Sequence, residues 1–331
     1  MLQFAGARRN MPNKIDDAIT AKTLTGLRSE PNYSGVLSFA RRKYSKDPKG
    51  ADVAITGVPF DVATTNRPGA RLGPRAIRAA STEVAWQRNW PWEFDPFEIL
   101  KTADCGDCYF DHGRPETIPA AIEAHARGIL DGGAAMLALG GDHFITLPIL
   151  RAHAAKHGKL SLLHFDAHTD TWEDEDGRVD HGTMFFHAVK EGLVDPRRSA
   201  QVGIRTTNDA TLGFHIFDAD WVQAHGAAAL AAALRDILGE HKTYLTFDID
   251  CVDPAFAPGT GTPVCGGLSS AQALQTVRAL RGVNLVGMDV VEVSPPFDHA
   301  EVTALLAATL AYDFLCLYAA RHRLGEKFTA K

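Results

Sequence analysis

The sequence predicts an α/β fold of three layers, with a mostly parallel central sheet between two layers of helices. Three observations carry this. Apolar or β-branched runs of strand length recur through most of the chain, amphipathic or alanine-rich segments of helical length stand between most of them, and the connections are short. Parallel strands need a long crossover, which a helix provides, and helices delivered to both faces bury the sheet. A chain of 331 residues has room for two small domains, but the alternation runs on from about residue 51. One domain over 51–331 is therefore expected, with residues 1–50, poor in apolar periodicity, as an arm or surface extension.

The first strand is read from "ADVAITGVPF", at 52–57, and a helix over 73–86 follows, with Pro74 near its start, where a missing N–H costs least. Next come a strand at 99–104 and a helix at 116–131, with Pro119 placed in the same way. The series continues with a strand at 134–139 and a helix at 144–157, a strand at 160–166 and a helix at 181–191, and a strand at 199–204 and a helix at 226–238. It closes with a strand at 243–249, a helix at 269–281, a strand at 284–291 and a helix at 299–321. In sheets of this class the chemistry gathers in loops beyond the carboxyl ends of the strands.

Composition narrows the classes. Hydrophobic residues at 45% and charged residues at 22% are ordinary for a globular protein with a large core. A formal net charge of −6 argues against a nucleic-acid partner and agrees with a small cationic one. No uninterrupted apolar run approaches the roughly 18 residues a membrane span needs, and the first residues lack a basic-then-apolar leader pattern, so a cytoplasmic location is expected. Five cysteines are an odd number for a disulfide framework. Cys105 and Cys108 form "CGDC", but no second pair or Cys-His motif completes a zinc or redox site, and the pair is read as structural.

The chemistry is concentrated in three strand ends. In "HFDAHTD" an extended chain turns every second residue the same way, so Asp166, His168 and Asp170 converge. The pattern recurs in "TYLTFDIDCVDP", with Asp248 and Asp250 two apart, and "MLALGGDHF" places His143 after a strand and two glycines. If these ends are neighbours, four carboxylates and two imidazoles share one pocket. Such a cluster repels itself unless cations are present, and two divalent metals would cancel the charge through bridging carboxylates and a bridging water or hydroxide. Hard oxygen donors, two nitrogens and no thiolate suit manganese, with zinc, iron and cobalt open on ligand type alone. His164 and His187 are read as structural, the first as alternating away from the cluster, and Asp142 as a cap of the helix that follows it.

Together, "GGDH", "DAHTD", "DHGTMF", "FDIDCVDPAFAPGTGTPVCGGLS" and "GMDVVEVSPPFD" resemble the signature blocks of the ureohydrolases, the family of arginases and agmatinases, over about residues 50 to 320. The resemblance implies a three-layer α/β/α arginase-like domain with two manganese ions. His143, Asp166, Asp170 and Asp248 would hold one ion, and Asp166, His168, Asp248 and Asp250 the other, with Asp166 and Asp248 bridging. It further implies that Glu292 grips a substrate guanidinium, that Asp170 first carries the proton of a metal-bridging hydroxide to the leaving nitrogen, and that His181 shuttles protons to solvent. Family members assemble as trimers or pairs of trimers, so a homo-oligomer is expected.

A guanidinium is a resonance-stabilised cation that water barely attacks at neutral pH, which is why an activated hydroxide and an orienting carboxylate are needed. Among guanidines, the acidic stretch "TWEDEDGRVDHGT" disfavours a free carboxylate and favours agmatine, whose far end carries none; the blocks are also closer to bacterial agmatinases than to arginases. Alternatively, Glu173 to Asp176 are a solvated loop, and Arg67, Arg71 or Arg178 pairs with the carboxylate of 4-guanidinobutyrate or 3-guanidinopropionate. A related zinc deacetylase would show an early pair of adjacent histidines, which the sequence lacks. A non-catalytic regulator would have lost ligands that are all present.

Overall fold

In the computed structural model, residues 16–26, 30–85, 88–173 and 180–328 are described. Among them, nine strands form one parallel sheet: β1 (Lys43–Tyr44), β2 (Val53–Val58), β3 (Thr102–Asp107), β4 (Ala135–Gly140), β5 (Ser161–Phe165), β6 (Ala200–Ile204), β7 (His215–Asp218), β8 (Thr243–Asp248) and β9 (Leu285–Val291). Their order is β1-β3-β2-β4-β9-β8-β5-β6-β7. The helices are α1 (Asp17–Thr20), α2 (Gly73–Ala80), α3 (Pro96–Ile99), α4 (Ile118–Asp131), α5 (Thr146–His157), α6 (Met184–Lys190), α7 (Ala219–Leu238), α8 (Ser270–Arg278) and α9 (Val302–His322).

The three layers follow from strand alternation. Val53, Ile55, Leu137, Leu139, Leu163 and Phe165 face one apolar cluster with side chains of α2, α7, α8 and α9. The intervening Ala54, Met136, Ala138 and Leu162 face a second, with α4, α5 and α6. Central strands buried on both faces read as continuous apolar runs, which is how the sequence shows them. Phe165 and Phe247 stack with centroids 5.0 Å apart one residue before Asp166 and Asp248; burying each ring contributes about 1.5–3 kcal/mol and makes a rigid floor beneath those acids.

The chain builds the sheet outward on both sides and then returns to its middle. After β4 it starts a second half with β5, β6 and β7, and β8 and β9 come back to fill the gap between β5 and β4. Phe165 is level with Phe247, Asp248 with Val291, and Leu139 with Val290. Four neighbouring strands thus end at one height, and their loops share one crevice.

Several element bounds differ from expectation for identifiable reasons. The helix expected over 73–86 is α-helical only to Ala80 and continues as 3-10 turns over Ser81–Val84. The one expected over 181–191 begins at Met184, because Asp180 accepts the Gly182 N–H at 2.9 Å and turns the chain first. The one expected at 226–238 extends back to Ala219 across a kink at Gly226, where φ is 76°. β7 and β1 carry too little apolar pattern to be read, being an exposed edge strand and a two-residue edge strand. Before residue 51, Phe39 and Arg42 are fully buried and β1 pairs with β3, so part of that segment is docked on the sheet.

Helix α9 is long and apolar enough to cross a membrane by length and composition, with mean hydropathy 1.7 over its most apolar window, but 78% of that window is buried inside the protein. Asp313 at its middle accepts from Trp92 Nε1 and pairs with Arg278, the pattern of a core helix.

Candidate metal centre and substrate cavity

Each candidate side chain is placed by the end of a central strand. After β4 the chain turns at Gly141, where a Cβ would stand 2.1 Å from the Phe60 carbonyl oxygen, so glycine alone permits the approach. The Gly141 and Asp142 N–H groups donate to the Val58 and Phe60 carbonyls, which fixes His143 above the sheet. After β5 come Asp166, His168 and Asp170, and after β8 come Asp248 and Asp250, the Asp250 N–H donating to Asp248 Oδ1 at 2.8 Å. After β9 comes Glu292, whose N–H donates to the Gly141 carbonyl at 2.8 Å. Asp170 and Glu292 sit in the left-handed region at φ 50° and 63°; non-glycine residues are held there only where surrounding contacts over-determine them, most often at working sites.

All six predicted ligands meet. His143 Nδ1 lies 3.0 Å from Asp166 Oδ2, 3.0 Å from Asp170 Oδ2 and 3.3 Å from Asp248 Oδ2, yet makes a properly directed hydrogen bond to none of them. His168 Nδ1 lies 3.2 Å from Asp166 Oδ1 and 3.1 Å from Asp250 Oδ2. Two groups of side chains could therefore hold an ion, one of His143, His164, Asp166 and Asp170 and one of Asp166, His168 and Asp250, with Asp166 common to both. A buried nitrogen ringed by three acids but bonded to none fits a cation at the centre of that ring.

The electrostatics agree. Burial and the charge of Asp166 push Asp170 up to about 7. Burial and the charges of Asp250 and Asp166 push Asp248 well above the usual carboxylate range. Asp166 stays far below that range because three histidines outweigh its burial. Without added positive charge the pocket cannot keep all its acids ionised, which fits a divalent pair.

His164 corrects the sequence reading. It shares the parity of Asp166 instead of alternating away, and its Nε2 lies 2.7 Å from Asp166 Oδ2. The Gln201 amide nitrogen donates to the Thr169 carbonyl at 2.6 Å and lies 3.0 Å from His164 Nδ1. That carbonyl fixes the amide's orientation, so His164 Nδ1 must accept and Nε2–H must donate to Asp166. Both nitrogens are committed, and burial lowers the ring to about 4, so it is neutral. His164 therefore orients Asp166 and has no lone pair for a metal. On the other side, His143 Nε2 lies 2.8 Å from Thr246 Oγ1, whose hydroxyl donates to Asp289. Asp289, three residues before Glu292, is buried beneath the site and also accepts from Thr146 and Tyr244. Asp142 likewise does not cap a helix; its Oδ2 accepts the Ala63 N–H at 2.9 Å.

Glu292 and His181 form the next layer. Glu292 Oε1 accepts the His143 N–H at 2.9 Å and lies 2.9 Å from His181 Nδ1, while Oε2 is buried with no partner among the described residues. The Thr65 N–H donates to His181 Nε2 at 2.9 Å, and Thr65 Oγ1 is 2.7 Å from the same nitrogen. Burial disfavours the imidazolium, but the bond and charge of Glu292 outweigh it and raise His181 to about 9. The Thr65 N–H favours the neutral ring, protonated on Nδ1. The hydroxyl can serve either form.

A cavity of about 280 Å³ opens onto this layer, lined among others by Thr65, His168, Asp170, Trp172, Asp180 and His181, with no lysine or arginine among the described lining residues. Glu292 lies behind His181 and does not itself line it. Of the arginines considered for a carboxylated substrate, Arg71 pairs with Asp61 and Arg67 lies over the Phe297 ring, centroid distance 5.1 Å. Arg178 and the acids Asp174 to Asp176 lie outside the described residues, and Glu173 is exposed. Sequence reasoning missed Thr65, Trp172, Thr246 and Gln201. None carries a pattern signal, whereas the parity of His164 was available.

Comparison with known proteins supplies the family. Residues 51–317 match the Arginase family. An agmatinase of Chromobacterium violaceum is 55% identical over 304 residues, 91% of this chain and 94% of that protein. The crystal structure of a hypothetical agmatinase from Burkholderia thailandensis superposes with a TM-score of 0.91 at 58% identity, covering 93% of this chain and 98% of that one. Proclavaminate amidino hydrolase from Streptomyces clavuligerus gives a TM-score of 0.85 at 38% identity, covering 88% and 100%.

Proposed function

The chain belongs to the arginase family, and from that premise we propose that it hydrolyses agmatine to putrescine and urea, using two manganese ions held by His143, Asp166, His168, Asp170, Asp248 and Asp250. One observation carries the choice of substrate. The described cavity lining offers acids and histidines but no lysine or arginine. Among these described residues a guanidine ending in an ammonium meets no lysine or arginine to repel it, and a terminal carboxylate meets none to pair with.

Four carboxylates, two imidazoles and no thiolate favour manganese over softer-ligand metals. Bound there, the metal pair supplies an attacking water whose pKa is lowered towards neutrality. Once His181 moves from in front of Glu292 and gives up Oε1, the substrate guanidinium pairs with Oε2, which orients the planar cation and holds its central carbon. Asp170, which faces both the ligand cluster and the cavity, passes the proton of the attacking water to the leaving nitrogen, and His181 exchanges protons with solvent.

The same reading covers the setting. One catalytic unit spans residues 51–331. Five free cysteines suit a reducing cytoplasm. A homo-oligomer, trimer or hexamer, would cover the exposed Tyr33 and Leu37 beside Glu301, and light scattering on the eluted protein measures it. The substrate is tested by urea release from agmatine, 4-guanidinobutyrate, 3-guanidinopropionate and arginine in parallel. Agmatine should be preferred, and preference for a carboxylated guanidine would overturn the assignment.

A further inference from the structure

The two nitrogens of His181 face different surroundings. The ring is buried, at 7% exposure; Nδ1 faces the buried Glu292, and Nε2 faces Thr65, which is exposed and lines the cavity. We propose that the Thr65 hydroxyl is the solvent-side station of the His181 proton path, an inference that rests on the reading of His181 as a proton carrier given above.

Thr65 is fixed in place by the loop that carries it. Asp142 Oδ2 accepts from the Ala63 N–H, Asp61 Oδ2 accepts from the Gly69 N–H at 2.8 Å, and Asn66 Nδ2 donates to the Gly261 carbonyl at 3.0 Å. At Gly69, φ is 140° and a Cβ would stand 2.5 Å from Ser294 Oγ, so the loop packs against the segment that follows Glu292. These anchors hold the hydroxyl at 2.7 Å from Nε2 in a segment otherwise open to water.

Of the two Thr65 groups at Nε2, only the hydroxyl can carry a proton. The Thr65 backbone N–H can donate to Nε2 but has no lone pair with which to accept from it, whereas a hydroxyl both donates and accepts. An imidazolium passes its Nε2 proton to Thr65 Oγ1 as the hydroxyl's own proton passes to water in the cavity. The Nε2–H bond and the hydroxyl's own O–H bond break as a new O–H bond forms on Oγ1 and one forms on water, and the neutral ring, its Nε2 lone pair now free, accepts the Thr65 N–H. The reverse transfer recharges it. One proton leaves by this route as the water attacks and one returns as the amine departs as an ammonium, so none is consumed per turnover. Glu292, Asp170 and Asp142 are the carboxylates whose charge acts on the ring.

Thr65→Val keeps the shape and the N–H and removes the hydroxyl. We expect kcat on agmatine to fall roughly tenfold to a hundredfold with KM within about twofold. Metal content should not change, and the solvent deuterium isotope effect on kcat should rise. Thr65→Ser should restore most of the rate and the smaller isotope effect. A valine variant with unaltered kcat and isotope effect, or a serine variant as slow as valine, would overturn the proposal. Failure of the functional reading is seen separately, in the unaltered enzyme: if it prefers another guanidine, the same ratios are measured on that one, and if it releases urea from none, both ideas fall.

Discussion

His164 Nε2 lies 2.7 Å from Asp166 Oδ2, and the ring can only donate there because the Gln201 amide nitrogen occupies its other side. Asp166 is the carboxylate common to both candidate metal groups, so a partner that sets its orientation acts on both. Replacing His164 with leucine should weaken metal binding by about tenfold to a hundredfold, the usual loss when a ligand's orienting partner is removed. Calorimetric titration of stripped protein with manganese checks this. Unchanged affinity would mean that the backbone alone positions Asp166.

The same reasoning separates ligands from substrate-gripping groups. Asp166→Asn should lose turnover together with much of the metal. Glu292→Gln, which retains an oxygen for the His143 N–H, should keep both metals and lower kcat/KM by about a hundredfold or more. Metal analysis beside urea release distinguishes the two, and loss of metal from the Glu292 variant would place that residue in the metal site.

Thr246 stands between His143 and Asp289, accepting from one and donating to the other. Thr246→Val leaves a buried N–H without its acceptor and a buried carboxylate without one donor, which should cost about 1–3 kcal/mol. The denaturation midpoint of metal-free protein reads this directly. A midpoint equal to that of the unaltered protein would show that a buried water or side-chain shift replaces the hydroxyl.

His153 gives a pH dependence away from the site. Burial lowers its pKa from 6.5 to about 4, although Nδ1 lies 3.0 Å from the Ile149 carbonyl. Between pH 6.5 and 4 the unfolded chain binds a proton there that the folded protein does not. The stability present above that window is therefore lost as pH falls through it, by up to about 1.4 kcal/mol per pH unit. His153→Leu should flatten stability against pH in that interval, and an unchanged slope would contradict the assignment.

The fold class was legible because it rests on periodicity, and the six clustered side chains because they stand just past the ends of apolar runs. Apolar runs mark buried parallel strands, but the alternation expected for Asp166, His168 and Asp170 is not what gathers them: β5 stops at Phe165 and Asp170 is left-handed at φ 50°, so a turn beyond the strand does. That β9 and β8 insert between β4 and β5 was not legible, because register and strand order are set by packing between distant segments. Thr65 could not have been found, since it is a loop residue placed by contacts from Asp142, Asp61 and Gly261. His164 was legible and misread: its parity is that of Asp166. Of the arginines considered for a carboxylate, Arg71 serves Asp61, and it is Thr65 of the same loop that reaches the site.

The most direct test of the central claim is the stoichiometry of products from agmatine, measured with metal-stripped protein before and after manganese is restored. The account predicts urea and putrescine in equal amounts, formed only after manganese returns. Urea formed at an undiminished rate by the stripped protein, or no products from the restored one, would contradict it.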